Sequence, residues 1–235
     1  MTLLSVIQNV CPVIGVMVPT SVFSNLSNNR TMQELLALAT EMAQRIAYDT
    51  RDWQLLRSVK VNNGDGTTTA FPLPADYKRL LLTSNIWRST SALTPMRFIP
   101  DTDEWINRRA LNIYDAWGEW TMLGGQLNIA PTLATGLTVT YAYLTSNCIK
   151  LASGGMGAAF QADGDSFALD ERLLKLGMIW QWKAQKGSPY NEDLSTYGDA
   201  LSVAMGHDSP APILIGRKTA ALAARVAYPF PLPTP

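Results

Sequence analysis

Between Leu169 and Met205 the sequence carries two helical signatures separated by a stop, and the rest of a 235-residue chain has to pack around them. Leu169, Leu173, Leu176, Trp180 and Ala184 recur every three or four residues and form one apolar stripe. Asp170 and Glu171 stand where the helix dipole is positive. Lys183 and Lys186 fall in the last turn, and Gly187, Ser188 and Pro189 end the helix. A second stripe follows at Tyr190, Leu194, Tyr197, Leu201 and Met205. Joined by so short a turn, the two helices are expected to form an antiparallel hairpin in which each covers the other's apolar face. Leu174, Met178, Ile179 and Trp182 lie on other faces of the first helix. That helix is therefore expected to need further partners, within the chain or in another subunit.

Upstream, Thr2 caps a short helix through Val10 that Pro12 is expected to stop, and a polar loop covers Ser21 to Arg30. Thr31 and Glu34 stand in capping-box spacing before Leu35, Ala39, Met42, Ala43 and Ile46, which predicts a helix to about Asp49. Ala37, Ala39, Ala43 and Ala47 allow a close neighbour, and the helix beginning near Leu169 is the expected one. From Trp53 the period shifts toward two. Val59 and Val61, the loop Asn62 to Gly66, and Thr67 to Phe71 read as a hairpin ended by Pro72 and Pro74. Leu80 to Trp87 and Met96 to Ile99 read as strands, with a helical turn at Asp101 to Arg108. Trp120 and Met122, then Gly124-Gly125, then Leu127 and Ile129 predict a second hairpin. Leu137, Val139, Tyr141 and Tyr143 give the strongest strand. Leu151 to Gly164, rich in glycine and alanine, has no period and reads as a linker or flexible loop.

These signals predict an α+β protein: an antiparallel helical-bundle core with a β-rich inserted subdomain and an extended C-terminal arm. The expected divisions are a helical part over 1–56, the β-rich insertion over 57–150, a helical hairpin completing the bundle over 151–208, and the arm over 209–235. Six prolines follow Asp208, and their density near the end rules out a regular packed element there. The arm is nonetheless apolar, so Ile213, Leu214, Ile215, Val226, Tyr228, Phe230 and Leu232 are expected to dock on something.

A hydrophobic content of 47% suffices for a full core, and nineteen basic residues against nineteen acidic give no net charge. That balance argues against a chain whose main task is gripping phosphates. The charge is uneven: Asp163 to Asp208 is acidic, whereas Arg217, Lys218 and Arg225 follow with no acid. Such blocks suit docking between charged surfaces or are ordinary solvated faces. Cys11 and Cys148 are the only cysteines, which fits two buried reduced thiols in a cytosolic protein. Met1 to Phe23 is apolar but has no positive charge before Arg30 and is broken by Pro12 and Pro19, so neither a signal peptide nor a membrane span is expected.

No set of residues nominates a catalyst, a cofactor or a metal. His207 is the only histidine and falls at a helix end. Asp163, Asp165, Asp170 and Glu171 are close in sequence but lack the later ligand spacing of a calcium loop. Gly154-Gly155-Met156-Gly157 follows no strand pattern suited to phosphate. Trp87, Trp105, Trp117 and Trp120 could stack bases or sugars, giving the alternative of a carbohydrate- or nucleic-acid-binding module, but in a β-rich block they suit a core or a subunit interface better.

The order of the pieces carries a resemblance. An Ala-rich capped helix is followed by Leu73-Pro74-Ala75-Asp76-Tyr77, by Gly118-Glu119-Trp120-Thr121-Met122-Leu123-Gly124-Gly125-Gln126-Leu127-Asn128-Ile129-Ala130-Pro131, by Leu137 to Tyr143, and by Leu169-Asp170-Glu171 with Trp180 and the Lys186-Gly187 turn. This succession, from Thr31 to Met205, resembles the head-to-tail adaptor (connector) proteins of tailed bacteriophages. The resemblance implies a structural virion protein of the neck region, made in the host cytoplasm, with no enzymatic activity, cofactor or membrane contact. It implies a homo-oligomeric ring, commonly of twelve copies, that binds the portal protein on one face and the next tail component, nozzle or tail tube, on the other. Genomic DNA would pass through its channel without sequence-specific binding. The portal contact would fall to the C-terminal arm, through Ile213, Ile215, Arg217, Lys218, Arg225, Tyr228 and Phe230.

Overall fold

The computed structural model describes residues 1–81, 84–90 and 93–208. In chain order its elements are α1 (Leu3–Ile14), α2 (Arg30–Tyr48), β1 (Arg57–Asn63), β2 (Ala70–Pro72), β3 (Tyr77–Leu80), β4 (Trp87–Arg88), β5 (Arg97–Phe98) and α3 (Thr102–Ala110). Then come β6 (Glu119–Leu123), β7 (Gln126–Ala130), β8 (Thr138–Thr145), β9 (Ile149–Lys150), β10 (Met156–Gly157), β11 (Ser166–Phe167), α4 (Glu171–Gln185) and α5 (Asn191–Asp208).

The expected helical-bundle core carrying a β-rich insertion is not what forms. Among the described residues the fold is α+β, with five helices and three sheets of four, four and three strands. The strands are no appendage, because β8 runs through both main hydrophobic clusters. Its Val139, Tyr141 and Tyr143 pack with Phe71, Ile86, Trp120, Leu127 and Ile129 in a cluster supplied by the sheets. Its Leu144, followed by Cys148 and Ile149, enters the cluster lined by α1, α2, α4 and Tyr197 of α5. The helices thus share one core with strands instead of closing a bundle among themselves. The 209–235 arm lies outside the described residues.

Local signals explain most helix ends. Thr2 caps α1, its hydroxyl accepting from the Ser5 N–H. Pro12 does not stop α1, which continues to Ile14 and ends where Gly15 takes φ +73° and returns its N–H to the Cys11 carbonyl. A proline in the last turns costs one backbone bond, and the buried stripe Leu3, Val6, Ile7, Val10 and Cys11 outweighs it. In α2 the cap is Asn29, not Thr31: its side chain accepts from the Thr31 and Met32 N–H groups. Glu34 instead accepts from Arg30 and from Lys186, the residue that follows α4. Asp170 caps α4, and its far end is a Schellman turn in which Gly187 donates to Ala184 and Ser188 to Lys183.

The buried face of α4 is not the stripe that periodicity selects. Leu173, Leu174, Gly177, Met178, Ile179 and Trp182 are buried, whereas Leu169, Leu176 and Trp180 are half-buried and Trp180 packs beside Tyr190 and Tyr197 on the α5 side. The residues expected to seek a partner beyond the hairpin find α1 and α2 within the same chain. Gly177 permits the approach: a Cβ there would stand 2.4 Å from Met42 Cε.

The sheets hold a further correction. β1 and β2 do not form a hairpin. β1 pairs antiparallel with β8 from Arg57 opposite Leu144 to Asn63 opposite Thr138, while β2 pairs with β7. The loop between them is fastened to the 133–137 turn instead, with Gly64 N–H donating to the Leu137 carbonyl and Gly66 N–H to that of Leu133. Gly64 is required because a Cβ would lie 2.4 Å from the Ala134 carbonyl oxygen. The β6–β7 hairpin forms as expected, from Glu119 opposite Ala130 to Leu123 opposite Gln126, and both turn residues, Gly124 and Gly125, have positive φ.

Leu151 to Gly164 is not a loose linker. β10 and β11 flank β9 in the three-stranded sheet, and the loop is drawn in by Asp165, which is 1% exposed. Its carboxylate accepts from the N–H groups of Ala152, Gln161 and Ala162. Carbonyls of Asp165 and Asp163 accept from Leu3 and Leu4, satisfying free donors in the first turn of α1.

Candidate interaction surfaces

The most strongly apolar exposed stretch of the described residues surrounds α3. Asp101 caps this helix by accepting from the Asp103 N–H at 2.9 Å, and Trp105 turns inward against Ile99 and Ala130. Beneath it, Glu119 at the start of β6 is fully buried, an unusual place for a carboxylate. Arg108 answers its charge by donating through Nε at 3.1 Å to one oxygen and through Nη2 to the other, a two-pronged geometry. The Asp115 N–H donates at 3.0 Å. These hydrogen bonds with Glu119 push Arg108 above its ordinary value, while burial pulls its neighbour Arg109 below. Arg109 lies between two rings, 4.2 Å from the centre of Trp105 and 4.7 Å from that of Tyr114. The 111–118 turn is therefore clamped to the sheet by a buried ion pair and a stacked guanidinium.

On this clamped base Phe98, Ile106, Leu111, Ile113, Tyr114 and Trp117 are all exposed. Phe98 rests on Trp120 with ring centres 4.5 Å apart, so its outer face is presented by a buried neighbour. Aromatic and aliphatic side chains held on a rigid, arginine-lined support are the usual make-up of a protein-binding patch.

A second apolar surface lies past the end of α1. Val13, Met17 and Val18 are exposed where α1 gives way to an extended segment that Gln8 holds by donating to the Pro19 carbonyl at 3.0 Å. Met17 and Val18 line a hollow of about 210 Å³ with Asn29 and Met32 at the start of α2. The far end of α2, at Tyr48, meets β3 through Lys78, whose ammonium lies 5.0 Å from the Tyr48 ring centre. A helix of nineteen residues, about 28 Å long, thus separates this surface from the β1–β8–β3 sheet, while the α3 patch sits on β5 and β6 of another sheet. The two surfaces are unlike each other in residues and in support.

The sequence candidates fall as follows. Trp105 and Trp120 are buried and only Trp87 and Trp117 are exposed, so the four do not make one stacking platform. His207 is exposed in the last turn of α5. Each of the four clustered acids has a structural partner. Asp163 accepts from Ser21, Val22 and Phe23, and Asp165 from three backbone N–H groups. Asp170 caps α4, and Glu171 meets the N-terminal amine. Burial alone would raise Asp165, and the three N–H bonds overcome it and lower the group. Among the described residues no group of three or more His, Cys, Asp or Glu could hold a metal ion. Gly154 and Gly155 sit in the turn leading to β10. Cys11 and Cys148 are buried and unbridged. No helix among the described residues is long and apolar enough to cross a membrane. Ile213, Ile215, Arg217, Lys218, Arg225, Tyr228 and Phe230 lie outside the described residues.

The sequence reading gives Trp105 and Trp117 to a core or a subunit interface and does not separate the inward ring from the outward one. A signal existed: Ile106, Leu111 and Ile113 interrupt a short segment otherwise dominated by Asp, Glu, Asn and Arg. Comparison of the chain with protein-family models and with curated proteins finds no match.

Proposed function

We propose that the chain is a structural virion protein, a head-to-tail adaptor whose copies form a ring between portal and tail around the DNA channel. The observation that carries this reading is the pair of unlike apolar surfaces, one around Ile106 and Trp117 and the other at Val13, Met17 and Val18. A ring closed head to tail needs two different complementary surfaces on every subunit. The support no longer includes Leu174, Met178, Ile179 and Trp182, which are covered within the chain. The order of motifs from Thr31 to Met205 supplies the second strand of support. In this reading the arm residues Ile213, Ile215, Arg217, Lys218, Arg225, Tyr228 and Phe230 contact the portal, and the ring offers its other face to the nozzle or tail tube.

The test is sedimentation and electron imaging of the full chain, alone and mixed with portal rings. The expected result is a ring seated on the portal, lost on deletion of 213–235. Replacing Ile106 and Trp117 by serine is expected to leave the fold intact and to weaken lateral association. A full-length chain that remains a single copy at high concentration in the presence of portal rings refutes the proposal.

A further inference from the structure

The α3 patch and the surface past the end of α1 complement each other in charge as well as in apolar content. On α3 the exposed Asp103, Ile106 and Ala110 recur at intervals of three and four residues and share one helix face, and Leu111 and Ile113 are exposed just beyond the helix end. Asp103 stands about 12 Å from Leu111 along the axis. Among the described residues the Asp103 carboxylate makes no ion pair, whereas the neighbouring Glu104 meets Arg97 and Arg108. An acid without a partner thus leads into an apolar run.

Past the end of α1, Val13, Ile14 and Val16 line a hollow of about 480 Å³ with Lys183 and Lys186, and the exposed Met17 and Val18 follow. Lys183 is taken up by Asp193 at 2.6 Å. Lys186 is 47% exposed, and its ammonium rests 4.6 Å from the centre of the Trp182 ring. An ammonium has three donors, and among the described residues Glu34 takes one of them at 2.7 Å. The others are open to a second carboxylate. Here too a charge leads into an apolar run, with the opposite sign. We propose that these two surfaces bind each other between successive copies of the chain, with Asp103 of one copy on Lys186 of the next, Ile106 on Val13, and Leu111 and Ile113 over Met17 and Val18. The six exposed apolar side chains around α3 are each about half uncovered and present on the order of 500 Å², which with a polar rim approaches the roughly 800 Å² that each partner gives to a specific interface. Asp103 and Lys186 lie on different surfaces, so the contact is heterologous and leaves each copy one surface for a further neighbour. The contact rests on the adaptor reading, which makes a second copy the occupant, and the pairing of Asp103 with Lys186 goes beyond that reading.

The test is sedimentation of the full chain, alone or with portal rings, under whichever condition the wild type associates. Asp103→Lys and Lys186→Glu are each expected to weaken association at least tenfold, because like charges then face each other, and the variant carrying both is expected to return within threefold of wild type. A second measurement does not depend on Lys186. Ile106→Glu and Val13→Glu, at exposed positions, are each expected to lose association with other copies, and their mixture to stop at one-to-one pairs, since each variant keeps the surface the other lacks. Undiminished association in D103K, a folded double variant no better than the single ones, or a mixture of I106E and V13E that forms no pairs overturns the contact and leaves the adaptor reading standing. A wild type that stays a single copy even with portal rings overturns both.

Discussion

Removing the Asp165 carboxylate should unfasten the 151–165 loop and the start of α1 together. Three N–H groups donate to it, from Ala152 at 2.9 Å, Gln161 at 2.5 Å and Ala162 at 2.8 Å. A hydrogen bond to a charged acceptor contributes about 1.5–3 kcal/mol, and an abandoned buried donor costs about 1–3 kcal/mol. Ala152, Gln161 and Ala162 are themselves exposed, so water recovers part of each bond. Asp165→Ala is therefore expected to cost about 2–4 kcal/mol, and Asp165→Asn less because its amide oxygen still accepts. The assay is urea unfolding at pH 7, where the midpoint falls at unchanged slope. The sign of the pH dependence follows from the lowered folded value of Asp165. Its contribution is present above the unfolded value of about 3.9 and is lost as the pH falls through the folded one. The gap between wild type and D165N should hence be full at neutral pH and close below about pH 4. A D165A variant within about 0.5 kcal/mol of wild type, the scatter of an ordinary surface substitution, would refute the reasoning, as would a gap constant down to pH 3.

Four other outcomes test separate parts of the fold. Asn29→Ala should cost about 1 kcal/mol in thermal or urea unfolding, and Thr31→Ala much less, because the side chain that accepts the free N–H groups of α2 is Asn29. Gly64→Ala should cost about 3 kcal/mol or more, since its Cβ meets two backbone carbonyls at 2.4 and 2.5 Å that cannot swing aside. Gly15→Ala, with open space but φ +73°, should cost about 1 kcal/mol. Cys11 and Cys148, both buried and with burial pushing their thiols up, should react with a thiol reagent at neutral pH only as fast as the protein opens, and both should react at once in denaturant.

Features determined by neighbours in sequence were legible from it. The cap at Asp170, the glycine stop at Gly187 and the Gly124-Gly125 hairpin each depend on a few adjacent residues whose backbone preferences leave one economical conformation. The strand over Thr138–Thr145 was legible for a related reason, since alternation along a half-buried strand is an imprint of its own two faces. Of the candidate surfaces, the apolar residues around α3 stand in the sequence, but nothing local says that Trp105 turns inward while Trp117 stays outside.

Tertiary structure decided what depends on competition between distant surfaces. Val59 and Val61 pair with a strand some eighty residues away instead of with Thr67 to Phe71, because β8 offers β1 a register over all seven of its residues. The Leu173 and Leu174 side of α4 is buried because α1 and α2 arrive there, a choice that helical period alone does not make among several apolar faces. Pro12 stays helical because the stripe it follows is buried, and the glycine-rich stretch before Asp165 is held because one carboxylate finds three N–H donors. A chain segment states its own backbone preference. Which of its apolar faces leaves water is settled only when the whole molecule closes over it.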